Sequence, residues 1–145
     1  MKGFLGMVCL LIAGVPAHAA EDQPLPVARF IVELDGLTAG CGIDGRNLRY
    51  SDAPMTEEQQ RTAVAKILKC GPDAIETAKK ERIYRRAVDS APDPAVQALI
   101  RSYYTAWQTY MGLMDPLAEV WDENVSPAAV ALDQARNELK LETDP

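Results

Sequence analysis

Histidine is almost missing from this chain: among 145 residues there is one, His18. No Cys-x-x-Cys pair, internal repeat or low-complexity tract occurs, and the longest uncharged apolar run, Phe4 to Val15, is twelve residues. Each absence excludes a class. Twelve apolar residues fall short of the ~20 that a membrane-spanning helix requires, so no retained anchor is expected. Without a Cys-x-x-Cys pair, dithiol redox chemistry lacks its usual motif.

The short apolar run has a different meaning. Lys2 precedes it, Pro16 ends it, and Ala17-His18-Ala19 follows. That order of positive start, apolar stretch and small-residue site is the pattern of a secretory signal peptide. Residues 1–20 are read as that signal, with cleavage after Ala19 or Ala20, and residues 21–145 as one domain. Met7 and Val8 precede Cys9 where a lipoprotein site wants small residues, so lipid attachment is not expected. The expected location is periplasmic or secreted.

Loss of the leader removes the one imidazole. A Ser-His-Asp or Cys-His arrangement is then impossible, and a zinc site lacks ligands. The formal charge moves from -6 to -7, because Lys2 is the one charged residue lost. Two cysteines remain, Cys41 and Cys70, and an even count in an oxidising compartment predicts a disulfide between them. Closing that loop stabilises by about 3–4 kcal/mol on chain-entropy grounds.

The remaining chain reads as all-α, an irregular antiparallel bundle of four to five short helices. Residues 21–26 are expected to form a loose leader. Val27, Phe30, Ile31, Leu34 and Leu37 recur at helical spacing up to Gly40, yet Phe30-Ile31-Val32 favours a strand that Asn47 to Tyr50 would pair with. Helix and short N-terminal β-hairpin both stay open for residues 27–50. Thr56 with Gln59 forms a capping box that opens the next helix, and Gly71-Pro72 is expected to stop it. A cationic, less regularly amphipathic helix is predicted over 73–88.

Asp93 and Pro94 supply an N-cap and a first helical residue. From there Val96, Leu99, Ile100, Tyr103, Tyr104, Ala106, Trp107, Tyr110, Met111, Leu113 and Met114 span about a half-circle at 100° per residue. That breadth predicts neighbours on two sides, with a kink or an end near Met114 imposed by Pro116. Leu117, Val120 and Trp121 extend an apolar face briefly. Ser126-Pro127 then caps a last helix with Ala128, Ala131, Leu132, Ala135 and Leu139 at helical spacing.

Candidate sites are few. Asp115, Glu119, Asp122 and Glu123 are spaced so that carboxylates share a helical face, the minimum for glycosidic chemistry or an oxygen-ligand calcium site; a solvated acidic face is the plainer reading. Met111 and Met114 offer two thioethers to Cu(I), and equally fill core space. Tyr103, Tyr104, Trp107 and Tyr110 either line a groove for an apolar ligand or pack the core. No metal or other cofactor is expected.

Charge is the strongest signal. Residues 61–101 hold nine Lys/Arg against five Asp/Glu, whereas 21–60 hold three against eight and 102–145 two against eight. Lys79, Lys80, Arg82, Arg85 and Arg86 concentrate in one short stretch, a docking face for an acidic partner or anionic headgroups, or a face covered by the chain's own acidic segments. Nucleic acid is disfavoured by net acidity and export. The expected function is a non-catalytic protein-binding protein of the cell envelope (an inhibitor, immunity factor or accessory subunit) whose partner is another envelope or exported protein. The alternative is a carrier or sensor of a small apolar ligand.

Overall fold

The computed structural model of the protein describes residues 23–118 and 126–143. The signal expected at 1–20 lies outside them, as do Glu119, Val120, Trp121, Asp122 and Glu123. The described residues form an all-α bundle of six helices with one disulfide and no strand. These are α1 (Val27–Arg49), α2 (Glu57–Leu68), α3 (Cys70–Lys80), α4 (Ile83–Ser90), α5 (Pro94–Leu113) and α6 (Pro127–Thr143). No described helix is long and apolar enough to cross a membrane.

The half-circle of α5 makes it the central element. It packs on α1, α3, α4 and α6. Ile100, Tyr103, Tyr104, Trp107 and Met111 are its buried residues, at the 3–4-residue spacing of one helical side. Asp93 caps it, its Oδ1 accepting from the Ala95 amide at 2.8 Å, with Pro94 at the first position. The helix ends at Leu113, ahead of Pro116.

Residues 27–50 resolve as helix, not hairpin, and the helix does not stop at Gly40. It continues through Gly42 and Gly45 to Arg49. Glycines in a helix interior each cost up to about 1 kcal/mol relative to alanine, so propensity alone does not hold this stretch. Tertiary contacts do. Phe30, Ile31, Leu34, Cys41 and Gly45 face the core at helical intervals. Cys41 bonds to Cys70 with the Cα atoms 5.6 Å apart, and the lack of a side chain at Gly45 admits the Pro116 carbonyl. Arg49 then donates from Nη1 to the carbonyls of Leu117 (3.1 Å) and Ala118.

The capping box at α2 forms in both directions: Thr56 Oγ1 accepts from the Gln59 amide, and Gln59 Oε1 from the Thr56 amide. The expected stop at Gly71-Pro72 is displaced. The break falls at Lys69, and Gly71 and Pro72 lie in the first turn of α3, where proline's missing N–H is no loss. Gly71 sits there against the Met111 carbonyl.

The helix expected over 73–88 is two helices. Ala74 and Ala78 face the core from α3, and Ile83 and Ala87 from α4. A continuous helix would bring Arg82 inward next after Ala78. Arg82 instead adopts a left-handed conformation, φ 55°, and advances the register by one residue so that Ile83 is buried. The non-glycine left-handed geometry costs roughly 1–2 kcal/mol.

The loose leader is also corrected for residues 23–26. They form a strap: Leu25 is buried, its amide donates to Ser90 Oγ at 2.7 Å, and Arg86 Nε donates to the Gln23 carbonyl at 2.9 Å. At the other end of the chain α6 is capped by Ser126 and buries Ala135 and Leu139. Arg136 on α6 pairs with Asp35 on α1.

Candidate docking site at the α3–α4 corner

The register shift at Arg82 turns the chain and displays the basic residues at a corner. Lys79 and Lys80 end α3, Arg82 makes the turn, and Arg85 and Arg86 follow on α4. Their engagement differs. Lys79 Nζ meets Glu76 Oε1 at 2.7 Å, and that carboxylate holds the ammonium above its ordinary pKa, by hydrogen bond first and charge second. Arg85 Nε is 3.8 Å from Asp89 Oδ2, a long and exposed pair. Such exposed pairs are screened by solvent and leave the cation accessible. Arg86 leans inward to the strap. Lys80 is exposed.

A further cation, remote in sequence, joins this surface. Arg101 on α5 donates from Nε to the Tyr84 hydroxyl on α4 at 3.3 Å, and that contact raises its pKa. The sequence alone does not show which helix lies beside Arg101. The stacking of Tyr84 on Tyr104, with centroids 5.0 Å apart, fixes that neighbour.

The aromatic group falls elsewhere than at a groove. Tyr103 and Trp107 are fully buried and Tyr104 nearly so. Phe30 meets Tyr103 edge-on at 5.7 Å, and Tyr104 stacks on Trp107 at 5.8 Å. Trp107 Nε1 donates to Thr38 Oγ1 at 2.9 Å, and Tyr103 donates to Asp35 Oδ1 at 3.2 Å. Burial, followed by the charge of Asp35, pushes the Tyr103 phenol well above its ordinary range. Tyr110 stands apart from the other three, half-buried in a small cleft of about 220 Å³ with Asp35, Asp133 and Arg136.

The remaining candidates are placed as follows. Met111 is fully buried with its sulfur accepting from the Thr38 hydroxyl at 3.5 Å, and Met114 is half-buried. Asp115 Oδ1 accepts from the Leu117 amide at 2.9 Å, closing a turn after α5. Its expected companions Glu119, Asp122 and Glu123 lie outside the described residues. Among the described residues no three His, Cys, Asp or Glu side chains gather into a metal-sized group. The corner offers cations at the junction of two helices, with Tyr84 stacked on Tyr104 beside it. No family model, no curated protein and no solved structure matches this chain.

Proposed function

We propose that this chain is an exported, non-catalytic protein that works by binding another envelope or exported protein through its α3–α4 corner, as an inhibitor, immunity factor or accessory subunit. One observation supports the reading: in an acidic molecule, five of the fifteen Lys/Arg fall within residues 79–86, at the junction of α3 and α4 where the backbone turns at Arg82. A patch opposite in sign to its molecule steers an acidic partner and fixes its orientation more than it adds raw affinity. Of the four side chains that the carrier alternative relied on, Tyr103, Tyr104 and Trp107 are packed by the chain's own residues, and Tyr110 alone is half-buried, which favours the protein-binding reading.

The test uses tagged residues 21–145 against a periplasmic extract of the host, beside the charge-reversed variant K80E/R85E. The wild type is expected to retain an acidic protein, and the variant to lose it. Equal retention by both, or none by the wild type, contradicts the reading. N-terminal sequencing of the protein recovered from its host checks export separately: the first residue is expected to be Ala20 or Glu21.

A further inference from the structure

The Cys41–Cys70 bond joins two sulfurs in unequal surroundings. Cys41 lies well inside α1 and is fully buried in the core. Cys70 is the first residue of α3 and only half-buried. It lines a cleft of about 330 Å³, walled by Asp44 of α1, by Ala63, Lys66 and Ile67 of α2, and by Asp73 of α3. Cys41 is not part of that lining.

The three walls are not equally fixed. The first turn of α3 is held where Gly71 sits against the Met111 carbonyl of α5, with Ala74 buried behind it. Phe30, Ile31, Leu34 and Gly45 hold α1 as well as Cys41 does. Ile67 is the one buried residue of α2, and the helix break at Lys69 separates α2 from α3. Elements with few buried contacts open locally while the rest of the fold stays intact. Movement of α2 therefore widens the approach to Cys70 and leaves Cys41 under the core.

Thiol–disulfide exchange begins with a thiolate attacking one sulfur of the bond, and access bears on which sulfur is attacked. We propose that Cys70 is the site at which a low-molecular-weight thiol enters this disulfide, with α2 as the wall that parts to admit it and Cys41 as the shielded partner that restores the bond. The incoming thiolate bonds to Cys70 Sγ, the Cys41–Cys70 bond breaks, and its electron pair stays on Cys41 Sγ, which takes up a proton. Return attack by the Cys41 thiolate on Cys70 Sγ re-forms the disulfide and expels the thiol. One thiol and one disulfide enter each step and one of each leaves. A cleft of this volume suits a small molecule rather than a folded domain. The proposal is independent of the cationic corner and of the protein-binding reading.

The probe is glutathione, with the folded chain, residues 21–145. The reaction is stopped with acid, free thiols are labelled with N-ethylmaleimide in denaturant, and tandem mass spectrometry locates both groups. The rate of bond opening is read separately as NADPH consumption, with glutathione reductase removing the glutathione disulfide that forms. Two variants separate a local opening from a global one. T56A removes the cap of α2, and Y103F removes a hydrogen bond between α5 and α1 in the core. The two substitutions are of similar cost to the fold.

Glutathione is expected on Cys70 and maleimide on Cys41. T56A is expected to open about fivefold faster than the wild type, and Y103F at the wild-type rate. Glutathione on Cys41 as often as on Cys70 overturns the proposal. Equal acceleration by both variants does so too, because the bond then opens through unfolding of the whole chain. An unchanged rate in T56A, or no adduct under conditions that convert the urea-unfolded chain, also overturns it.

Discussion

Gly45 and Gly71 are the residues whose smallness the fold uses. A Cβ at either would collide with a backbone carbonyl, of Pro116 or Met111. Alanine there should destabilise by about 1–3 kcal/mol through overpacking, outweighing its helix preference. Gly40→Ala meets open space and should stabilise by up to about 1 kcal/mol. Urea midpoints of the three variants check the contrast. No sequence pattern separates these glycines, because what matters is a carbonyl supplied by a remote segment. Tyr103 makes a second residue-scale case. Its hydroxyl donates to Asp35, and its phenol is pushed above the ordinary value of 10.0 by burial first and Asp35 second. A group that holds its proton more tightly when folded stabilises the fold below the unfolded value and loses that contribution as pH rises beyond it. Tyr103→Phe is therefore expected to cost about 1 kcal/mol at neutral pH. Above about pH 10 its urea midpoint should fall less steeply than that of the wild type, the opposite slope counting against the account.

At the scale of elements, the six helices are unequally secured. Of α2, Ile67 alone is buried, and among the described helices it packs only on α1 and α3. Elements with few buried contacts open first. Hydrogen exchange in native conditions should thus be fastest in α2 among the helices, and faster still in the C41A/C70A variant, which loses the bond beside its C-terminal end. Global stability of that variant should fall by about 3–4 kcal/mol; protection in α2 equal to that in α5 would contradict this ordering. The strap is the opposite case, short yet anchored. Leu25→Ala should cost about 2–5 kcal/mol by removing a fully buried side chain, read by the same urea titration. Where local chemistry decides, the sequence was informative: the Thr56–Gln59 box, the Asp93-Pro94 start, the breadth of α5 and the Cys41–Cys70 bond all form. Where a distant partner decides, it was not. The run of α1 past Gly40, the seating of Leu25 and the break at Arg82 each depend on which surface lies opposite. In hindsight, the step of five from Ala78 to Ile83, in place of four, was the one local sign of the break.

For the molecule as a whole, the basic stretch of the chain lies where α3 and α4 meet at a corner. The basic stretch was legible as composition; its display was not, since that follows from the left-handed turn at Arg82 and the arrival of Arg101 from α5. Binding at an exposed cationic surface is screened by salt, with a Debye length of about 8 Å at physiological ionic strength. Complex formation should therefore weaken on going from low to physiological salt. The most direct test of the corner as the working surface is photocrosslinking in living cells, with a photoreactive amino acid placed at Lys80, at Arg85 and, as a distant exposed control, at Val130 of α6. The account predicts one discrete crosslinked product at positions 80 and 85, containing an acidic exported protein, and none at 130. The same product from all three positions, or products from 130 alone, would contradict it.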